Sequence, residues 1–421
     1  MLERNLQIVA DDKGSVYLSG SYKTSAGFDT HTITTTNNAE FFIAKLDSTG
    51  SFQWAVTAKG TKGSIIHSMI LSKKGDLYIG GSFEESIEVN GKTYKPGGKS
   101  EAFFAKVDKQ TGAFKSFAHT TGSTTSQATF SSIAEDNVGT IHAAMNFTGT
   151  VRLGAQSLTS KGKADFTLCQ YVAAQNTFAF IKTAGSTNSE TIHRIFVDRN
   201  GIVFALGHHE GDFTFAKTTF KSKDKANGFL IKWNATTDTI LWSYSFSSNT
   251  EVIANMFAVS TKGDVYVGGS YKGTMTTGGP TPFISGGDTD VFAIGLDDKG
   301  KFVWDLTIPT TGADEVTGVA IDQQGNVHVS GFYGARATYG VFTITNKGKR
   351  DAIAIKIAPS GGLADTHAAG SAGEELGLSI AVSPQNKLFV GGMFDTDFKF
   401  TQSIKFTKKG TKDLFIWKKD P

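Results

Sequence analysis

One short pattern occurs seven times along this chain. An apolar stretch, a polar turn closed by glycine, and a run of β-branched and aromatic residues first appear from Ile8 through Gly14 to Gly20. They reappear from Met69 through Gly75 to Gly81, again around Gly139, Gly201, Gly263 and Gly325, and a last time with Asn386 in the glycine position. Successive copies lie 61 to 64 residues apart. Self-similarity at a fixed period marks a repeat architecture. A length of 421 residues by itself suggests two or three domains. The repeats instead predict a single array over 1–421, with units at about 6–58, 66–120, 129–183, 192–246, 254–308, 316–369 and 377–421.

Each unit reads as strands. The apolar stretch before the glycine (strand A) is short and meets a hairpin turn such as Asp11-Asp-Lys-Gly14 or Asp322-Gln-Gln-Gly325, where glycine supplies the positive φ. Strand B follows with residues such as Val16-Tyr-Leu and Val265-Tyr-Val, rich in strand formers. Strand C opens on an acidic residue or Asn in every copy: Glu40, Glu101, Asp165, Asn227, Asp290, Asp351 and Asp413. Strand D carries Trp54, Phe180, Trp242 and Trp304, each 21 residues before the next turn. The B–C connections, such as those starting at Gly149 and Asp212, alternate apolar and polar residues about a central turn and read as hairpin extensions. No convincing amphipathic helix is visible, and all 7 Pro fall in loops or at the end.

Four antiparallel strands repeated radially describe an all-β, seven-bladed β-propeller of about 62 residues per blade. The seventh copy stops after strand C, in Asp413-Leu-Phe-Ile-Trp-Lys-Lys419, so the last blade is expected to lack its outermost strand. That leaves Phe415, Trp417, Lys418 and Lys419 on an edge. Another chain or a flanking domain can add a strand there; alternatively, the two lysines blunt a solvated edge.

The segment from Gly263 to Gly269, Glu40 to Asp47 with its Phe-x-Ala-Lys-Leu-Asp ending, and the Gly-x-Phe-x-Trp segment of strand D resemble the bacterial seven-bladed β-propeller repeat (SBBP-type) family over essentially the whole chain. The resemblance implies a bacterial surface or secreted protein with a scaffold or binding role.

Candidate sites are sparse. Acidic residues end the D–A connections in four copies: Glu190, Glu251, Glu315 and Glu375. A partial ring of carboxylates can take a cation, a sugar or a basic partner; the competing reading is that each caps its own turn. His142 and His328 replace aromatics three positions after the turn glycine and read as packing residues. His208 and His209 are adjacent on a strand and point to opposite faces, so they do not form a chelate. Cys169 aligns with Ala44 and Ala105 and reads as a small buried thiol.

Composition closes other routes. A single Cys forbids a disulfide framework and multi-Cys metal sites. A net charge of +3 offers no basic footprint for nucleic acid. No apolar run is long enough for a membrane helix, and the first residues lack the apolar core of a secretory signal. No catalytic motif and no metal or cofactor signature appears. The expectation is a non-enzymatic binding or adhesion scaffold, extracellular or on the cell surface, that recognises a glycan or protein partner through its loop face. The alternatives are a structural subunit docked through the open edge of the last blade, and a propeller glycosidase or lyase.

Overall fold

The computed structural model describes residues 6–28, 31–35, 40–339, 342–400 and 404–419. Among them there is no α-helix, only strands and one 3-10 turn at Ala173–Gln175. Among the described residues the strands form seven successive antiparallel meanders, six of them in the order A–B–C–D. The first sheet runs Gln7–Ala10, Val16–Tyr22, Glu40–Leu46, Phe52–Val56. The fifth runs Val265–Lys272 between Glu251–Val259 and Asp290–Leu296, with Phe302–Ile308 outermost. The sixth is built from Glu315–Ile321, Val327–Tyr333, Asp351–Ile357 and Leu363–Ala369. The seventh has three strands among the described residues, Glu375–Val382, Leu388–Phe394 and Asp413–Lys419.

The chain forms two compact units: 1–221 with 231–241, and 222–230 with 242–421. The first three sheets belong to the first unit and the last three to the second; the fourth contributes segments to both. Within the first unit the A strands of successive sheets pack on one another, and so do those of the second. A four-stranded meander stacked on its neighbour through its first strand is the blade construction of a β-propeller, and that is the fold class.

Local chemistry explains the repetition. In the A–B turns Gly14, Gly75, Gly139, Gly201, Gly263 and Gly325 have φ between 75° and 96°, and Asn386 takes φ 64° in their place. This is the left-handed conformation that glycine and asparagine tolerate. Where the turn opens with Asp, its carboxylate caps the turn: Asp322 Oδ1 accepts the Gln324 and Asn326 N–H at 3.0 and 2.8 Å. Strand A carries a register shift in sheets two to seven, for example between Ile66 and Ser68 and between Phe130 and Ser132. These bulges hold sheets together in the first unit, where Ser68 and Ser132 Oγ accept the Ile133 and Ile195 N–H at 3.0 Å each.

The hairpin extensions between B and C are present. They include Thr150–Leu153 with Gln156–Thr159, Phe213–Phe215 with Thr218–Phe220, and Ala337–Tyr339 with Phe342–Ile344. The second sheet differs. Its A and B strands themselves lengthen to 13 residues each, Lys59–Leu71 and Leu77–Val89, and pair almost to the tip.

Alternation fills the space between blades. Side chains in one register row across strands B, C and D share a face. One such row is Tyr17–Lys45–Trp54, another Tyr266–Gly295–Trp304, another His328–Lys356–Asp365. In the fifth sheet Tyr266 and Trp304 stack at 5.8 Å. The Trp304 indole N–H reaches the Pro359 carbonyl in the C–D turn of the sixth sheet at 3.1 Å.

Candidate functional site

In each sheet the end that carries the B–C hairpin also carries the acidic residues read from the sequence, and the structure gives them unlike surroundings. Glu190, in the first unit, is fully buried; its two oxygens accept the Ser186 backbone N–H and hydroxyl at 2.6 Å each. Glu375, in the second unit, is equally buried. It takes the same pair of bonds from Ser371, at 2.8 and 2.6 Å, and a third from the Thr396 hydroxyl at 3.1 Å. Glu251 is exposed and stands opposite Lys272, whose ammonium pairs with Asp288 at 2.5 Å. Glu315 is half-buried at the start of its strand; the buried carboxylate there is its neighbour Asp314, which accepts the Gly334 N–H at 2.8 Å.

The strand-C acids lie one layer below and do the same work. Four of them accept the N–H of the residue four positions earlier: Lys161 to Asp165, Gly286 to Asp290, Lys347 to Asp351, Gly97 to Glu101. Lys409 makes the corresponding contact with Asp413. This fixes the loop that leads into strand C. The two layers meet in pairs. Glu190 lies near enough to raise Asp165 by its charge, as Glu375 does Asp351 and Asp290 does Asp314. Burial pushes Asp165, Asp314 and Asp351 up to about 6, and the neighbouring acid adds to it. Asp165 Oδ1 and Asp351 Oδ1 lack a hydrogen-bond partner.

Asp314 carries no strong sequence signal, because it adjoins the more conspicuous Glu315. The pairing of acids was hidden for a different reason: it joins strand C of one repeat to the strand A that follows, and only the fold brings them together.

At the last sheet, Phe415 and Trp417 point inward. Phe415 packs among Phe394, Phe398, Phe400 and Phe406, and Trp417 stacks on Phe400 at 4.3 Å. Lys418 is exposed, while Lys419 turns back to Asp365 at 2.8 Å and His367 at 2.7 Å. Their strand is the terminal one of its sheet among the described residues.

The remaining residues singled out above resolve simply. Cys169 is buried in the core, where burial pushes its thiol up and keeps it protonated. His142 and His328 are buried and meet Asp136 and Asp322 at 3.2 and 3.0 Å. His208 lies 3.1 Å from His193, whereas His209 turns to the Gly211 carbonyl at 2.7 Å. No group of three or more His, Cys, Asp or Glu among the described residues is arranged to hold a metal ion.

The molecule is thus an all-β protein of the β-propeller class. No known protein family matches the chain, and neither does any curated protein. Similar solved structures include the Neurospora crassa Pan2 WD40 domain, 8% identical, covering 91% of this chain and 84% of that one, with a TM-score of 0.47. A protein of unknown function from Dyadobacter fermentans is 10% identical, with 86% and 93% covered and a TM-score of 0.44. The NanB sialidase from Streptococcus pneumoniae is 8% identical, with 94% and 65% covered and a TM-score of 0.42. A WD40 domain and a sialidase stand side by side among these, and none of the similarities assigns a ligand or a reaction to this chain.

Proposed function

We propose that this chain is a binding scaffold that recognises a glycan or protein partner through its B–C hairpins, as part of a bacterial surface or secreted protein. The observation that carries this reading is the division of labour at the hairpin end. The buried carboxylates there recur in pairs at three junctions between consecutive sheets, each tied to the loop it braces. A catalytic acid and base form one unique constellation, whereas these repeat with the fold. The hairpins above them present hydroxyls to solvent. Thr214 and Thr219 face each other, exposed, at 3.1 Å on a hairpin whose other face is Phe213, Phe215 and Phe220. Thr338 and Thr343 repeat the arrangement at 3.5 Å in the second unit. Rigid hairpins bearing polar tips on an apolar footing suit recognition without rearrangement. The resemblance of the repeat to the bacterial propeller-repeat family supports the same reading.

The test is a glycan array and a surface-protein panel probed with the whole chain. Saturable binding is expected, and charge placed on the hairpins by Thr214→Glu with Thr219→Glu, or by Thr338→Glu with Thr343→Glu, should weaken it at least about tenfold. Cleavage of a bound glycan, detected as new chain ends by mass spectrometry, overturns the reading, as does an empty array and panel.

The terminal strand Asp413–Lys419 favours a second reading, a subunit docked by strand addition. It predicts a stoichiometric complex in native mass spectrometry that is lost when a proline replaces Ile416.

A further inference from the structure

Far from the hairpins, the sixth sheet opens a cavity of about 270 Å³. It lies wholly in the second unit, between the B–C–D face of the sixth sheet and the A–B hairpin of the seventh. Its floor is the row His328–Lys356–Asp365. His367 and Lys419 close one side, and Ala354, Val382 and Leu388 form an apolar wall. In the fifth sheet the same row is Tyr266–Gly295–Trp304, and the stacked rings fill the corresponding space.

The polar groups are unevenly spent. Asp322 is saturated: Oδ1 takes two backbone N–H groups, and Oδ2 takes the Asn326 amide at 2.8 Å and faces His328 Nε2 at 3.0 Å. Asp365 accepts the Thr366 N–H at 2.8 Å and the Lys419 ammonium at 2.8 Å. The donors are not saturated. Lys356 Nζ stands 3.7 Å from Asp322, an ion pair too long for a hydrogen bond, so its N–H groups stay available. Lys419 divides itself between Asp365 and His367 and retains a third proton. Both side chains are about two-fifths exposed and line the cavity. The two lysines and two aspartates balance in charge, and what is left over is donor capacity, chiefly on Lys356, which a carboxylate can accept.

We infer that this cavity binds a small organic carboxylate, its acid group held between Lys356 and Lys419 and its body against Ala354, Val382 and Leu388. The volume is just under the range of drug-sized pockets, roughly 300–1,000 Å³, and suits a single sugar acid or acidic amino acid. The site is independent of the hairpin surface, so its failure leaves that reading intact.

Calorimetric titration of the whole chain with two isosteric pairs tests it: glucuronate against glucose, and glutamate against glutamine. At least one acid is expected to bind at a concentration below about 10 mM, and at least about tenfold more tightly than its neutral partner. Binding by glucuronate alone identifies a sugar acid and by glutamate alone an amino acid; binding by both identifies the carboxylate as the shared determinant. Lys356→Gln should weaken the bound acid at least about tenfold. Asp365→Trp, which restores the ring of the fifth sheet, should abolish binding; if that variant does not fold, Lys356→Gln decides alone. The inference is overturned if neither acid binds, if acid and neutral partner bind equally, or if Lys356→Gln binds like the unmodified chain.

Discussion

The fifth and sixth sheets are consecutive copies of one design, and they diverge at both ends. At the turn end, the fifth sheet places Trp304 against Gly361 in the C–D turn of its successor, with the indole N–H on the Pro359 carbonyl. The sixth sheet places Asp365 at the same register position, opposite Lys356 as Trp304 is opposite Gly295. The exchange turns a packed contact into a charged cavity. At the hairpin end, Asp290 of the fifth sheet has both oxygens filled, by the Gly286 and Thr310 N–H groups at 2.7 and 2.6 Å. In the sixth, Ser371 stands where Thr310 stands in the fifth, but its N–H goes to Glu375, and Asp351 keeps one oxygen bare. In a repeat fold each junction adds its own interface term, so one can loosen while the others hold.

The largest effect should separate Trp304 from Asp365. Trp304 is only 7% exposed and joins two sheets, so Trp304→Ala should cost about 3–5 kcal/mol. Asp365 makes a half-exposed ion pair with Lys419, and Asp365→Ala should cost less than about 1 kcal/mol. Equilibrium urea unfolding measures both. Equal losses would mean that the sixth junction is packed as tightly as the fifth.

A smaller effect tests the receiving side of the same contact. Gly361 has φ 91°, and a Cβ there would sit 2.5 Å from Trp304 Cγ. Gly361→Ala therefore meets both backbone strain and a clash, and should cost about 1–3 kcal/mol. In the Trp304→Ala background the clash disappears and the cost should fall by about half. An undiminished cost in the double variant would show that the ring does not rest on this glycine.

Much of this was readable in the residues, and what was not has a physical reason. The period, the positive-φ turn glycines with Asn386 standing in, the hairpin extensions and the three strands of the last sheet among the described residues follow from spacing and turn chemistry, which are local. The caps at Glu190 and Glu375 were readable too, since a Ser four residues earlier is a local partner. Glu251 and Glu315 share the position but not the partner, so a shared alignment column did not mean a shared environment. The cavity was missed although its signal was present. Asp365 stands 21 residues before Asn386, as Trp304 stands before Gly325, and a gap in an aromatic series is as informative as the series. What spacing does not convey is that Lys419, from the next sheet, reaches across to Asp365.

The subtlest prediction concerns Asp351. Burial raises its carboxyl from the ordinary 3.8 to about 6, with Glu375 nearby adding to the effect. The folded state therefore prefers the protonated acid. That preference contributes fully to stability below about pH 4 and is lost as the pH rises through 6. The fourth sheet shows the remedy. Asn227 holds the equivalent place, and its Nδ2 donates to Ser222 Oγ and the Asp224 carbonyl at 2.9 Å each. Asp351→Asn should reproduce a permanently neutral, donating group and raise stability at pH 8 by about 1 kcal/mol. At pH 4, where Asp351 is already protonated in the fold, the gain should vanish. Urea unfolding of both chains at the two values decides the matter. A gain of equal size at pH 4 and pH 8, or a loss at pH 8, would mean that the bare oxygen of the sixth sheet is not under the strain that the fifth avoids.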